Sequence, residues 1–194
     1  MGEVDEYAVL TIRTHQFHVF FIKEKYMKTL REEVEKGVEN WSLSFEEVKR
    51  VLSGRVPGLR LRFVYEPSHS FKNLWRNKVN VCFILLELGE MKHWVVLGKK
   101  PSFFFDPLGN PPAFFKQSWP KLFPLIEGLD WNNHAYEKTA KNINDCGSHC
   151  IIRSARYHLT NDQYFGWINS VLPGKADFLV SLMVYLGTRN FIKL

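Results

Sequence analysis

Three short pieces of this chain hold residues able to do nucleophilic chemistry, and they occur in a fixed order. His93-Trp94 comes first, Asp106-Pro107-Leu108-Gly109 follows, and Asp145-Cys146-Gly147-Ser148-His149-Cys150 comes last. A thiol, an imidazole and a carboxylate are the parts of a nucleophile, its base, and the group that orients the base. Cys146 heads an apolar stretch through Leu159 that reads as a helix, so the positive end of the helix dipole would favour the thiolate. Gly147 would let a substrate backbone approach the sulfur, and the Cys146 backbone amide could donate to an oxyanion. Taken singly, each residue has a plainer use. Cys146 could be a buried thiol before a core helix, His93 a packed neighbour of Trp94, and Asp106 an Asx turn before Pro107. The ordered set is harder to explain by packing alone.

The elements around these residues follow from local pattern. Residues 7–22 are β-branched or aromatic and alternate, which predicts extended structure; residues 24–38 read as a helix. Ser44 is a candidate N-cap for a helix running to about Leu52, and Pro57-Gly58 marks a turn. Leu59 to Tyr65 reads as a strand, and Pro67 to Lys78 as a loop or short helix. Val79 to Leu88, with Cys82 inside it, is a continuous apolar run of the kind buried on both faces. His93 opens the next predicted strand, to Leu97. A tight turn over Gly98-Lys99-Lys100-Pro101 returns the chain as Phe103 to Phe105, so that His93 and Asp106 fall near one end of the sheet. Helical signals recur near Phe114 to Phe123 and over Ala176 to Leu186. Helices outside a block of strands predict an α+β protein, a central mixed sheet flanked by helices, with residues 1–194 as one domain.

Composition narrows the setting. The chain is 45% hydrophobic and 15% aromatic, which predicts a bulky aromatic core with some apolar surface left for a peptide. Its net charge of +6 is spread along the chain; it permits an acidic partner such as nucleic acid and is also explained by solubility. Three cysteines, Cys82, Cys146 and Cys150, do not make a disulfide framework and point to a reducing, intracellular setting. The acidic N-terminus has no apolar signal core, and the run Val81 to Leu86 is far too short to span a bilayer, so no membrane association is expected. A rival chemistry is zinc on Cys146, His149 and Cys150, which share an i, i+3, i+4 helix face. No second group of ligands follows, so no metal is expected. Cys150 is then a buried helix residue, and His149 a partly exposed one.

On His93-Trp94, Phe104-Phe105-Asp106-Pro107-Leu108-Gly109 and Asp145-Cys146-Gly147-Ser148-His149-Cys150, the chain resembles the adenovirus-type, adenain-like cysteine proteases. These occur in adenoviruses, virophages and Maverick/Polinton-type elements and are akin to the proteases of ubiquitin-like proteins. The match lies between residues 93 and 150. It implies a papain-like thiol mechanism with Cys146 as nucleophile, His93 as base and then acid, and Asp106 as the orienting group. Trp94 and Gly147 would border the substrate. The resemblance further implies a monomer that cleaves viral capsid or core precursors at the site of virus assembly, with small residues around the cut. An activating viral peptide or DNA is implied in the same way; no other cofactor is expected. One departure is clear. The glutamine that such proteases carry six or seven residues before the cysteine is replaced here by Thr139 and Ala140, leaving Asn142 or Asn144 as candidate side-chain donors to the oxyanion, or as turn residues. Two alternatives stand beside this reading: a protease of ubiquitin-like modifiers, which Asp-Cys-Gly also fits, and a degenerate fold that binds protein or DNA.

Overall fold

The computed structural model describes residues 7–10, 20–23, 32, 43–52, 56–65, 71, 73–136, 145–171, 180–181 and 183–184. Two short strands, β1 (Tyr7–Leu10) and β2 (Phe20–Lys23), pair antiparallel within the segment expected to be extended. The expected helix over 24–38 lies outside the described residues apart from Glu32, which is helical. Helix α1 (Phe45–Leu52) starts where Ser44 predicts it. Its start is a reciprocal capping box. The Glu47 amide donates to Ser44 Oγ at 3.3 Å, and the Ser44 amide donates to Glu47 Oε2 at 2.8 Å.

The main sheet has five strands: β3 (Leu61–Tyr65), β4 (Val81–Leu88), β5 (Met91–Lys99), β6 (Ser102–Phe105) and β7 (Asp130–Trp131). They lie in chain order. The outer pairs β3–β4 and β6–β7 are parallel, and the inner pairs are antiparallel. Short helices α2 (Phe115–Ser118) and α3 (Phe123–Ile126) follow β6. The helix signals of Phe114 to Phe123 thus appear as short pieces, because Pro120 and Pro124 cannot continue a helix begun before them. Helix α4 (Cys146–Ala155) and helix α5 (Asn161–Val171) complete the described set, with Val180, Ser181, Met183 and Val184 helical and buried near the end.

Both faces of the sheet are covered, as the apolar run in β4 requires. Val81 and Phe83 join one core with Trp94, Val96, Phe103 and Phe105, beneath α1, α4 and α5. Cys82, Ile84 and Leu86 join the other, with Val95, Leu97 and Phe104, against Phe115, Trp119 and Leu122. This is an α+β structure with a five-stranded mixed sheet flanked by helices.

Three local readings need correction. Strand β5 begins at Met91, so His93 is its third residue and not its first. Gly98 and Lys99 remain in the strand, and the turn is only Lys100-Pro101. Gly98 is there for space, since a Cβ would run into the Phe103 ring. Helix α5 and strand β7 were not expected from the sequence. The α5 stretch mixes Asn, Gly and Ser with its aromatics and has only a weak apolar stripe, while β7 is two residues long.

Candidate active site

The three ordered pieces converge. Register pairs Val96 with Phe105, so Asp106, just past the end of β6, falls diagonally across from His93. His93 Nε2 lies 2.6 Å from Asp106 Oδ1. Both side chains are buried, Asp106 completely and His93 to 7% exposure. The same ring is hydrogen-bonded to the Cys146 side chain. Nε2 is taken by the carboxylate, which leaves Nδ1 for the thiol.

Cys146 is brought there by its helix. Helix α4 packs against β5, and one turn in from Cys146 the Cys150 thiol donates to the Trp94 carbonyl at 3.3 Å. That contact pins the helix to the backbone next to His93. Cys146 is the first residue of α4, so the positive end of the helix dipole falls on its sulfur. Asp145 stands before it but does not cap the helix. Its carboxylate turns inward to His149 Nε2, at 3.4 Å.

Burial opposes charge on His93. The hydrogen bonds to Asp106 and Cys146 and the charge interactions with the same two side chains outweigh it, and its pKa is pushed up to about 10. The resting site therefore holds an imidazolium between a carboxylate and a sulfur. A base raised in this way stabilises the fold fully below its ordinary pKa of ~6.5, and that contribution is lost as pH climbs through the raised value. The gap in urea midpoint between the native protein and His93→Gln is expected to be widest near pH 6 and to close progressively toward pH 10. A gap that stayed constant over this range would refute the charged pair.

Asp106 is held from several directions, and the Asx-turn reading and the triad reading both apply to it. Leu108 N–H donates to Oδ1 at 3.0 Å, and Oδ2 accepts from the Asn110 backbone at 3.0 Å and from its Nδ2 at 2.8 Å. Asn132, buried and 26 residues on, holds the Asp106 main chain. Its Oδ1 accepts the Asp106 amide at 2.8 Å, and its Nδ2 donates to the Asp106 carbonyl at 2.6 Å. Gly109, at φ +69°, allows the turn to lie against the next segment; a Cβ there would sit 2.7 Å from Ala135 N. The sequence reading missed both asparagines. The Asx turn closes on Leu108, two residues on, and Asn110, four residues on, lies beyond the spacing such turns use. Asn132 carries no local signal. Asn132→Ala is expected to cost about 2–3 kcal/mol, since it strips a buried amide and carbonyl of their partners. It should also slow alkylation of Cys146 by misplacing Asp106. Urea unfolding and the alkylation rate check the two effects separately.

A cleft of about 230 Å³ opens at the thiol, bordered by Leu43, Phe45, Leu85, Trp94, Cys146 and Gly147. Trp94 is the wall expected of it and is itself fixed edge-on by Phe45 and Phe83, at centroid distances of 5.0 and 4.9 Å. Gly147 lines the cleft and also has a packing reason of its own. A Cβ would lie 2.9 Å from Leu43 Cδ1 and 3.2 Å from Trp94 Cδ1, so the glycine keeps the cleft walls in place. Asn142 and Asn144, the candidate oxyanion donors, lie outside the described residues, and the Cys146 amide remains at the start of α4 as the backbone candidate.

His149 corrects another expectation. It is fully buried, as is every residue of α4, because β5, α1 and α5 surround the helix and leave it no solvent face. The zinc reading of Cys146, His149 and Cys150 needs the three side chains to converge on one point. The three side chains turn to His93, Asp145 and the Trp94 carbonyl respectively. Among the described residues no group of three His, Cys, Asp or Glu could hold a metal. Cys82 packs in the second core; burial pushes its thiol up to about 12 and leaves it chemically inert near neutral pH.

The fold and site thus define an α+β protein with a buried Cys-His-Asp constellation at one end of a five-stranded mixed sheet. No protein-family model and no curated protein matches the chain. Among solved structures it is similar to the central domain of the uncharacterized Lpg1148 protein from Legionella pneumophila, with a TM-score of 0.41 and 15% identity, over 77% of this chain and 97% of that one.

Proposed function

We propose that this chain is a cysteine endopeptidase with Cys146 as nucleophile, His93 as acid and base, and Asp106 as the group that orients His93. The observation that carries the reading is the 2.6 Å contact of His93 Nε2 with Asp106, made while the same ring is hydrogen-bonded to the thiol at the start of α4. Packing alone has no use for a buried imidazolium between these two groups.

The chemistry follows from the arrangement. The Cys146 sulfur attacks a peptide carbonyl carbon held in the cleft. The carbonyl π electrons move to oxygen, and the Cys146 amide stabilises the oxyanion. His93 gives its Nδ1 proton to the leaving amine as the C–N bond breaks, which leaves a thioester. Neutral His93 then takes a proton from water as the water attacks the thioester, and the thiolate leaves. Asp106, fixed by Asn110 and the turn, keeps the ring aimed throughout.

The resemblance to adenain-like proteases extends this to a role: cleavage of capsid or core precursor proteins during virion maturation. Processing of a ubiquitin-like precursor is the second reading, and the small cleft between Trp94 and Leu43 favours a thin peptide chain in either case. Offering the protein both kinds of precursor separates the two.

The first test needs no substrate. Limiting iodoacetamide is applied to the native protein from pH 5 to 9, and the label is located by mass spectrometry. Rapid labelling of Cys146 alone, persisting at low pH, is expected. Slow labelling of all three thiols with an ordinary thiol pH profile would overturn the catalytic reading and favour a binding module.

A further inference from the structure

A second, larger groove of about 970 Å³ runs along α1 and β3. Its lining includes four cations, Lys49, Arg60, Arg62 and Arg76, against a single carboxylate, Glu46, among the described residues. Lys49, Arg60 and Arg76 are exposed, and Arg62 is half-buried with its guanidinium donating to the Asn73 carbonyl at 2.6 Å. The groove lies beside the cleft at the thiol. Phe45 lines both, and Tyr65 at the end of the groove pairs in register with Leu85 in the wall of the cleft. A chain leaving the cleft past Phe45 enters a channel whose field is positive.

We infer that the groove is the specificity-determining extension of the cleft, and that it selects polypeptides carrying acidic side chains a few residues from the bond that is cut. The inference rests on the proposed peptidase reading. The spacing follows from strand geometry. Lys49 lies one helical turn from Phe45 on the same side of α1, ~6 Å, or about two residues of extended chain at ~3.3 Å per residue, so a substrate would meet the first cation within a few residues of the cleft, whereas Arg62 alternates to the other face of β3 beside the Asn73 carbonyl. Aromatic walls interleaved with cations suit a peptide, whose carboxylates pair with the guanidinium groups while its apolar side chains rest on Phe45 and Tyr65. A nucleic-acid strand also fits the charge. It does not explain why the groove lies beside a cleft ending at a thiol.

The test measures binding without cleavage, on Cys146→Ser protein by fluorescence polarisation. The probes are labelled Gly-Gly-Ala-Ala-Ala-Glu-Glu-Glu, the same peptide in reverse order, and versions with Gln or Lys in place of Glu. One of the two acidic orders is expected to bind ~10-fold tighter than its Gln version at low salt, with the advantage shrinking at ~0.5 M salt. Combined Lys49→Gln, Arg60→Gln and Arg76→Gln should abolish the preference, and Glu46→Gln alone should strengthen it. These four side chains are exposed on the surface, so a change in either direction reads charge and not folding. Equal binding of the Glu, Gln and Lys peptides would overturn the inference. So would an oligothymidylate of equal charge that displaces the acidic peptide at lower concentration. Selective Cys146 alkylation without acidic preference removes the groove reading alone. Acidic preference without an activated thiol removes the peptidase reading and leaves the groove as an acidic-peptide site with no bond to select.

Discussion

His93→Ala is expected to lower kcat/KM on a quenched fluorogenic peptide by about 10³–10⁴-fold, the range lost when a positioned acid–base group is removed. The size of the effect follows from what the ring touches. It lies 2.6 Å from Asp106 and is hydrogen-bonded to Cys146, so its removal takes both the cation beside the sulfur and the proton for the leaving amine. The same variant should lose the fast alkylation of Cys146 at pH 5 to 6, because the imidazolium beside the sulfur is gone. Above pH ~9 the two proteins should converge, since an unassisted thiol with an ordinary pKa of ~8.5 ionises there by itself. Asp106→Asn provides the graded comparison. An amide can still contact the ring but carries no charge, so the rate should fall while labelling keeps part of its low-pH component. Equal labelling rates for native protein and His93→Ala across the whole range would refute the assigned roles.

Arg153→Met is expected to produce the largest loss of stability, about 3 kcal/mol or more, read from urea unfolding. Arg153 is completely buried and no carboxylate forms an ion pair with it within the described residues. It is held by carbonyl oxygens just past the end of α4, of which the Arg156 carbonyl also accepts the Leu159 amide at 3.0 Å. Its Nη1 donates to the Arg156 carbonyl and its Nη2 to the Leu159 carbonyl, both at 2.9 Å. Its guanidinium also lies 3.5 Å from the centre of the Phe103 ring. Burial lowers its pKa to about 10, which still leaves it charged at neutral pH. Methionine fills much of the volume but takes the side-chain donor from the Leu159 carbonyl, and leaves the Arg156 carbonyl only the Leu159 amide. Arg153→Lys should recover little, because a single ammonium cannot reach both carbonyls and lie flat on the ring. Asn161 ties the same corner to the sheet, donating to the carbonyls of Phe104 and Asp130 at 3.2 and 3.1 Å. Loss of Arg153 should therefore loosen the strand that leads to Asp106. Its alkylation rate is expected to fall as well, by less than in His93→Ala. An Arg153→Met protein with an unchanged urea midpoint would refute this account.

Much of the site was legible because its chemistry is local. Cys146 before an apolar helix, His93 on a strand and Asp106 before a proline each carry their own pattern, and the hairpin between His93 and Asp106 is short enough for the pairing to be inferred. The buried strand Val81–Leu88 and the capping residue Ser44 were legible for the same reason, since hydrophobic runs and caps act over a few residues. The start of β5 was misplaced by two residues because the tight hairpin at Gly89-Glu90, with Gly89 at φ +61°, was passed over; it pairs Met91 with Leu88 and Lys92 with Glu87.

What the tertiary structure decided are the contacts between residues far apart in the chain. Asn132 reaches Asp106 across 26 residues, and Cys150 reaches the Trp94 carbonyl across 56. Neither could be read from spacing, because each depends on which elements pack together. The burial of His149 and the packing reason for Gly147 belong to the same class, since both depend on how completely neighbouring elements enclose α4 and the cleft. By itself the sequence determined which groups could react and in what order they occur. Packing α4 against β5 decided that the thiol meets the imidazole, because a nucleophile and its base need to agree in position to within a few tenths of an ångström, and only contacts among distant, close-packed elements set position that finely.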